Sequence, residues 1–138
     1  MRAEMLRRGQ TMEECYEFML AYAAQGLPSD GGSQAGNQIR EVLQRAVEAL
    51  SGLADACVTA VKADSPDAAE KYFAFLGVLD RDACDSIRTI ELVLAQPRIS
   101  SQLIDNLNAS LHLRAVLTDF FLLGDIIRQQ RQTAIATR

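Results

Sequence analysis

The residue types that carry chemistry are scarce in this chain, so the histidine comes first. One histidine, His112, stands among 138 residues, and any imidazole-based reaction or ligation must pass through that position. A di-iron carboxylate site in a helical bundle takes Glu-x-x-His pairs from two helices, yet the residue three before His112 is Ala109. Covalent haem attachment needs Cys-x-x-Cys-His, which the chain lacks. Met12 or Met19 with His112 would make a pair of axial haem ligands, but methionines at helical spacing are usually core material. Phosphotransfer bundles carry a lysine three residues after the acceptor histidine and a glycine directly after that lysine. Here those positions hold Ala115 and Val116. The expectation is a chain with no metal and no cofactor.

Carboxylates are numerous but unfocused. Glu13, Glu14 and Glu17 cluster early, while Asp80, Asp82 and Asp85 lie mid-chain, where Asp80 and Arg81 interrupt an apolar run. Asp80 and Arg81, with His112 and Arg114, could line a polar pocket near the middle of the third and fourth helices, as in small helical enzymes that bind anions with arginines, which would make the chain a small-molecule-binding or enzymatic bundle. Solvated helix faces account for the same residues, since most Asp and Glu are exposed. Cys15, Cys57 and Cys84 are odd in number, widely spaced and without a Cys-x-x-Cys pair. They read as reduced, buried thiols of a cytoplasmic protein rather than a disulfide framework or zinc site. The sequon Asn108-Ala109-Ser110 falls inside a predicted helix and reads as chance.

The elements that would position these residues are all helical. Thr11-Met12-Glu13-Glu14 has the form of a capping box and predicts a helix over 11–26, with Gly26 as its left-handed stop. Leu27 to Gly36 reads as a flexible loop rich in Gly, Ser and Asp. Asn37 is the expected cap of a second helix over 37–63. There Ile39, Leu43, Ala46, Leu50, Leu53, Cys57 and Ala60 step by four and three in a heptad seam. Ser65 and Pro66 open a third helix over 66–95 with an inner stripe of Tyr72, Leu76, Leu79, Ala83, Ile87, Ile90 and Leu94, and Pro97 closes it. Ser100 or Ser101 caps a fourth over 100–130. No period-two run is long enough for a strand.

These lengths predict an all-α, antiparallel up-down-up-down four-helix bundle in one domain spanning 1–138, with a short first helix and frayed basic ends at 1–10 and 131–138. The fourth helix is apolar in nearly every direction between Leu111 and Ile127. One bundle interior cannot bury all of that surface, so Phe120, Phe121, Leu122, Leu123 and Ile126 form the candidate interface for a second subunit or another protein.

Composition agrees with this reading and narrows it. The chain is 49% apolar and 23% charged, with a net charge of −4, which suits a soluble globular domain. Arginines gather at the two ends and leave an acidic body, unlike a surface that binds nucleic acid. The N-terminal arginine pair is followed by no apolar segment, so no secretory signal is read. No run reaches the ~18 apolar residues of a membrane span. The functional expectation is a non-enzymatic, cytoplasmic homodimer acting as an adaptor, regulator or small chaperone.

Overall fold

The structure is a computed structural model that describes residues 2–64 and 69–136. They form helices α1 (Arg2–Ala24), α2 (Gln34–Ser51), α3 (Leu53–Asp64), α4 (Ala69–Leu94), α5 (Ser101–Ala109) and α6 (Leu111–Ala136), with no strand among the described residues. None of these helices is long and apolar enough to cross a membrane. The Ser65 and Pro66 caps expected before α4 lie outside the described residues.

The first helix is longer than the capping box implies. It starts at Arg2, so residues 2–10 are helix rather than a frayed end, and the Thr11 hydroxyl donates to the Arg7 carbonyl within the helix at 3.1 Å. The apolar stripe explains the extension: Met5, Met12 and Met19 recur every seven residues, and all three are buried. Gly9 does not break the helix because it serves close packing. A Cβ there would sit 2.2 Å from the Phe120 ring of α6.

The second predicted helix breaks at Gly52 into α2 and α3. Its heptad seam runs on regardless, and Ile39, Leu43, Ala46, Leu50, Leu53, Cys57 and Ala60 are all buried. The break is filled from α1. Arg8 Nη1 donates to the carbonyls of Glu48 at 2.8 Å and Ala49 at 3.2 Å, supplying donors to the orphan end of α2. The guanidinium passes so close to Gly52 that a Cβ would lie 2.5 Å from Arg8 Cζ. The start of α2 also differs from expectation. Its cap is Ser33, whose hydroxyl accepts from the Gly36 amide at 2.9 Å, and Asn37 lies inside the helix.

The predicted fourth helix is likewise two. Ser110 adopts extended backbone (φ −62°, ψ 142°) between α5 and α6, and its hydroxyl donates to the Leu107 carbonyl at 2.6 Å. Asn106, Asn108 and Ser110 are residues whose side chains compete for local backbone groups, which weakens helix continuity there. Ser100 caps α5 as expected, accepting from the Leu103 amide.

Helix α1 packs on α2, α3 and α5 and touches α6 only sparsely, while α4 packs on α2, α3 and α6. The apolar faces join in one core, to which α1 gives Met5, Met12, Cys15, Met19 and Tyr22. A full-length α1 therefore replaces the short first helix of the sequence reading.

The connection after α1 is pinned rather than flexible. Leu27 and Ser101 exchange two 2.8 Å hydrogen bonds, Leu27 N to Ser101 Oγ and Ser101 N to the Leu27 carbonyl. Asp30 accepts from the Ile99 amide at 2.9 Å and from Arg40 Nε at 2.8 Å. Arg40 then donates to the carbonyls of Leu94 and Gln96, each at 2.9 Å. The Tyr22 hydroxyl donates to the Ile99 carbonyl at 2.6 Å. The Ile99 amide, helped by Arg40, holds the Asp30 carboxyl below the usual carboxylate range against the opposing effect of burial.

Candidate functional site

A helix turns about 100° per residue, so neighbouring side chains on α6 cannot share one environment. Phe120 enters the core over Gly9 and is 8% exposed, which throws Phe121 outward to 46% exposure; the two rings meet edge to face with centroids 6.2 Å apart. Leu123 and Ile127 follow Phe120 inward, Ile126 is half-buried, and Leu122 faces out at 50% exposure. The candidate interface therefore divides. Phe120 and Leu123 belong to the chain's own core, and Phe121 and Leu122 are its outward members.

Because α1 and α6 touch so sparsely, a groove opens between them. It consists of two adjoining cavities of about 320 and 270 Å³ that share Glu13 and Phe121. Tyr16, Glu17, Arg114 and Leu117 line the first, and Leu6, Gln10, Gly124 and Arg128 line the second. The α1 wall is acidic and the α6 wall basic. Among the described residues Glu13, Glu17 and Arg114 form no ion pair, whereas Arg128 pairs with Asp125 on its own helix.

The polar pocket considered from the sequence is differently placed. Asp80 and Arg81 are exposed on α4, and His112 and Arg114 are exposed on α6. Of these four, Arg114 alone lines one of the two groove cavities. Met12 and Met19 lie in the core, remote in character from the exposed His112. Among the described residues, no group of three or more His, Cys, Asp or Glu side chains is placed to hold a metal ion. Cys15 and Cys57 are buried free thiols, both pushed up by desolvation, Cys57 to about 12; Cys84 is free and half-buried.

One polar contact escaped the sequence reading. Asp119 of α6 faces Asp82 of α4, and burial first, then the nearby Asp82 carboxyl and its charge, push Asp119 up to about 7. With both groups ionised, the buried Asp119 Oδ2 has no donor facing it. Protonating Asp119 lowers the cost of burying its carboxyl and removes the repulsion from Asp82, which is why its protonated form is favoured. The sequence signal was faint: Asp82 and Asp119 each adjoin a buried position, Ala83 and Phe120. Pairing them required knowing that α4 lies against α6.

Compared with known proteins, the chain matches no family model, and neither a curated protein nor a solved structure matches it.

Proposed function

We propose that this chain is a non-enzymatic, antiparallel helical bundle that works through protein–protein contact, as a homodimeric adaptor, regulator or small chaperone. The up-down succession is supported by contacts between helix ends. Arg8 near the start of α1 reaches Glu48 and Ala49 at the end of α2, and Arg40 near the start of α2 reaches Leu94 at the end of α4. In this reading α2 with α3, and α5 with α6, each act as one broken member of a four-part bundle. The buried free thiols Cys15 and Cys57 favour a reducing compartment such as the cytoplasm.

The observation that carries the functional reading is the outward pair Phe121 and Leu122, of which Phe121 lines an open groove. Both are about half exposed, so completing their burial is worth about 2–3 kcal/mol per protomer before the costs of association. A two-fold contact uses that gain twice. Sedimentation velocity or light scattering at tens of micromolar tests it. A dimer converted to monomer by Phe121→Asp is the expected result, and a strict monomer indifferent to that substitution refutes the proposal.

A further inference from the structure

We infer that a second copy of this chain covers the α1–α6 groove in a two-fold arrangement that lays α1 of each protomer along α6 of the other. Leu20 then stands opposite the partner's Leu111, and Glu17 opposite the partner's Arg114. This rests on the homodimeric reading above and assigns that dimer its contact surface and register.

Exposed apolar residues concentrate on the two helices that flank the groove, and Leu6 and Phe121 line it. Of the eight large hydrophobic residues exposed among the described residues, five belong to α1 or α6: Leu6, Leu20, Leu111, Phe121 and Leu122. The others are scattered over α4, and Phe73 among them lies under the Lys62 ammonium at 5.7 Å. Seven-residue spacing puts Leu6, Glu13 and Leu20 on one stripe of α1, and Arg114, Phe121 and Arg128 on one stripe of α6. A layer two helices wide and ~34 Å long presents roughly 700 Å², since a helix is ~10 Å across and rises 1.5 Å per residue. That is close to the ~800 Å² per partner of a standard stable interface.

Charge selects the crosswise pairing. Among the described residues Glu13 and Glu17 have no ion partner on the α1 wall, and Arg114 has none on the α6 wall. Laying α1 on α1 or α6 on α6 would set like charges together, whereas α1 on α6 sets opposite charges together. An isologous contact demands this self-complementarity, in which residue i meets j and j meets i. The surface supplies both signs itself, so the occupant it fits is its own copy.

The register follows from the neighbours within one chain. Glu17 and Arg114 line the same cavity, and Gly9 lies against Phe120. A two-fold axis running along the groove keeps every residue at its own height. Each α1 residue therefore meets, on the partner's α6, the residue that it neighbours at home.

Charge exchange tests the register by sedimentation equilibrium, with circular dichroism confirming helicity. In the Glu17→Arg homodimer two opposite-charge contacts become like-charge, and the same holds for Arg114→Glu, so each alone should weaken self-association at least about tenfold. Mixing the two variants should restore a heterodimer of near wild-type affinity, because both contacts regain opposite charges. A folding defect inside one chain cannot be rescued in this way by the other. A dimer indifferent to both substitutions, or no recovery on mixing, overturns the crosswise register while leaving homodimerisation standing. A wild-type chain that stays monomeric overturns both.

Discussion

Gly9 is the position where helix propensity and packing predict opposite signs. Judged as an interior helix residue, Gly9→Ala should stabilise α1 by ~1 kcal/mol, because alanine loses less backbone entropy on folding and glycine is the poorer helix former. The added Cβ, however, would stand 2.2 Å from both Cε1 and Cζ of Phe120. Carbon atoms in contact prefer ~3.5–4 Å, so the ring must retreat by more than ~1 Å. Phe120 is 8% exposed and fixed on α6, so retreat means an off-rotamer ring or a wider α1–α6 spacing. Overpacking of this kind costs ~1–3 kcal/mol, and so short an approach falls in the upper half of that range, ~2–3 kcal/mol, so that subtracting the propensity gain leaves a net loss of about 1–2 kcal/mol. For a chain of this length each kcal/mol moves the midpoint by ~3–5 °C, so Tm should fall by roughly 3–10 °C. Thermal and urea unfolding at one fixed protein concentration read the effect, since association would otherwise shift the midpoint. A double-mutant cycle with Phe120→Leu isolates the cause. The smaller side chain should relieve the clash, giving a coupling above ~1 kcal/mol between the two positions. A Gly9→Ala variant more stable than wild type, or a cycle without coupling, would refute the close-packing argument.

Two pH-linked predictions follow from the carboxylates. Asp119 is raised in the folded state, so its contribution is fully present below about pH 4 and is lost as pH climbs through about 7. Asp119→Asn should therefore gain stability over wild type between pH 5 and 8, on the order of 1–2 kcal/mol once solvent screening at this half-buried site is allowed for. A difference between the two that stays constant with pH in urea titrations would contradict the raised Asp119 carboxyl. Asp30 has the opposite sign: its folded value is lowered, so its stabilisation is present at neutral pH and lost as acid protonates it. Asp30→Ala removes the acceptor for Ile99 and Arg40 and should cost roughly 1–3 kcal/mol at pH 7, shrinking below pH 4. An equal deficit at pH 7 and pH 3 would refute that account.

Much of the architecture was legible because buried periodicity is a strong signal. The α2–α3 seam was read residue by residue and survived a break inside it, since Leu50 and Leu53 keep their three-residue step across Gly52. The breaks themselves were hidden. What fills the gap at Gly52 is Arg8, more than forty positions away, and the Ser110 break carries neither proline nor glycine. Thr11 misled because a capping box and a mid-helix Thr bonding back one turn look alike in sequence. The candidate interface was half legible. The doubling of Phe120 and Phe121 announced surplus apolar surface, but which ring faced outward depended on Gly9, against which Phe120 packs. The meeting of Asp82 with Asp119 depends on tertiary contact, and the local sequence of each shows only that it adjoins a buried position.

The clasp between residues 22–40 and 94–101 has a consequence for the order of synthesis. Tyr22, Leu27, Asp30 and Arg40 emerge from the ribosome long before Leu94, Gln96, Ile99 and Ser101, which supply the other halves of their hydrogen bonds. At ~5–20 residues per second that interval lasts roughly 3–15 s. Throughout it the end of α1 stays unfastened, and the apolar stripe that α5 will cover remains open to water. A nascent chain stalled before Ser101 therefore presents an exposed α1 to its surroundings, and only translation of the last third lets the earlier two-thirds close.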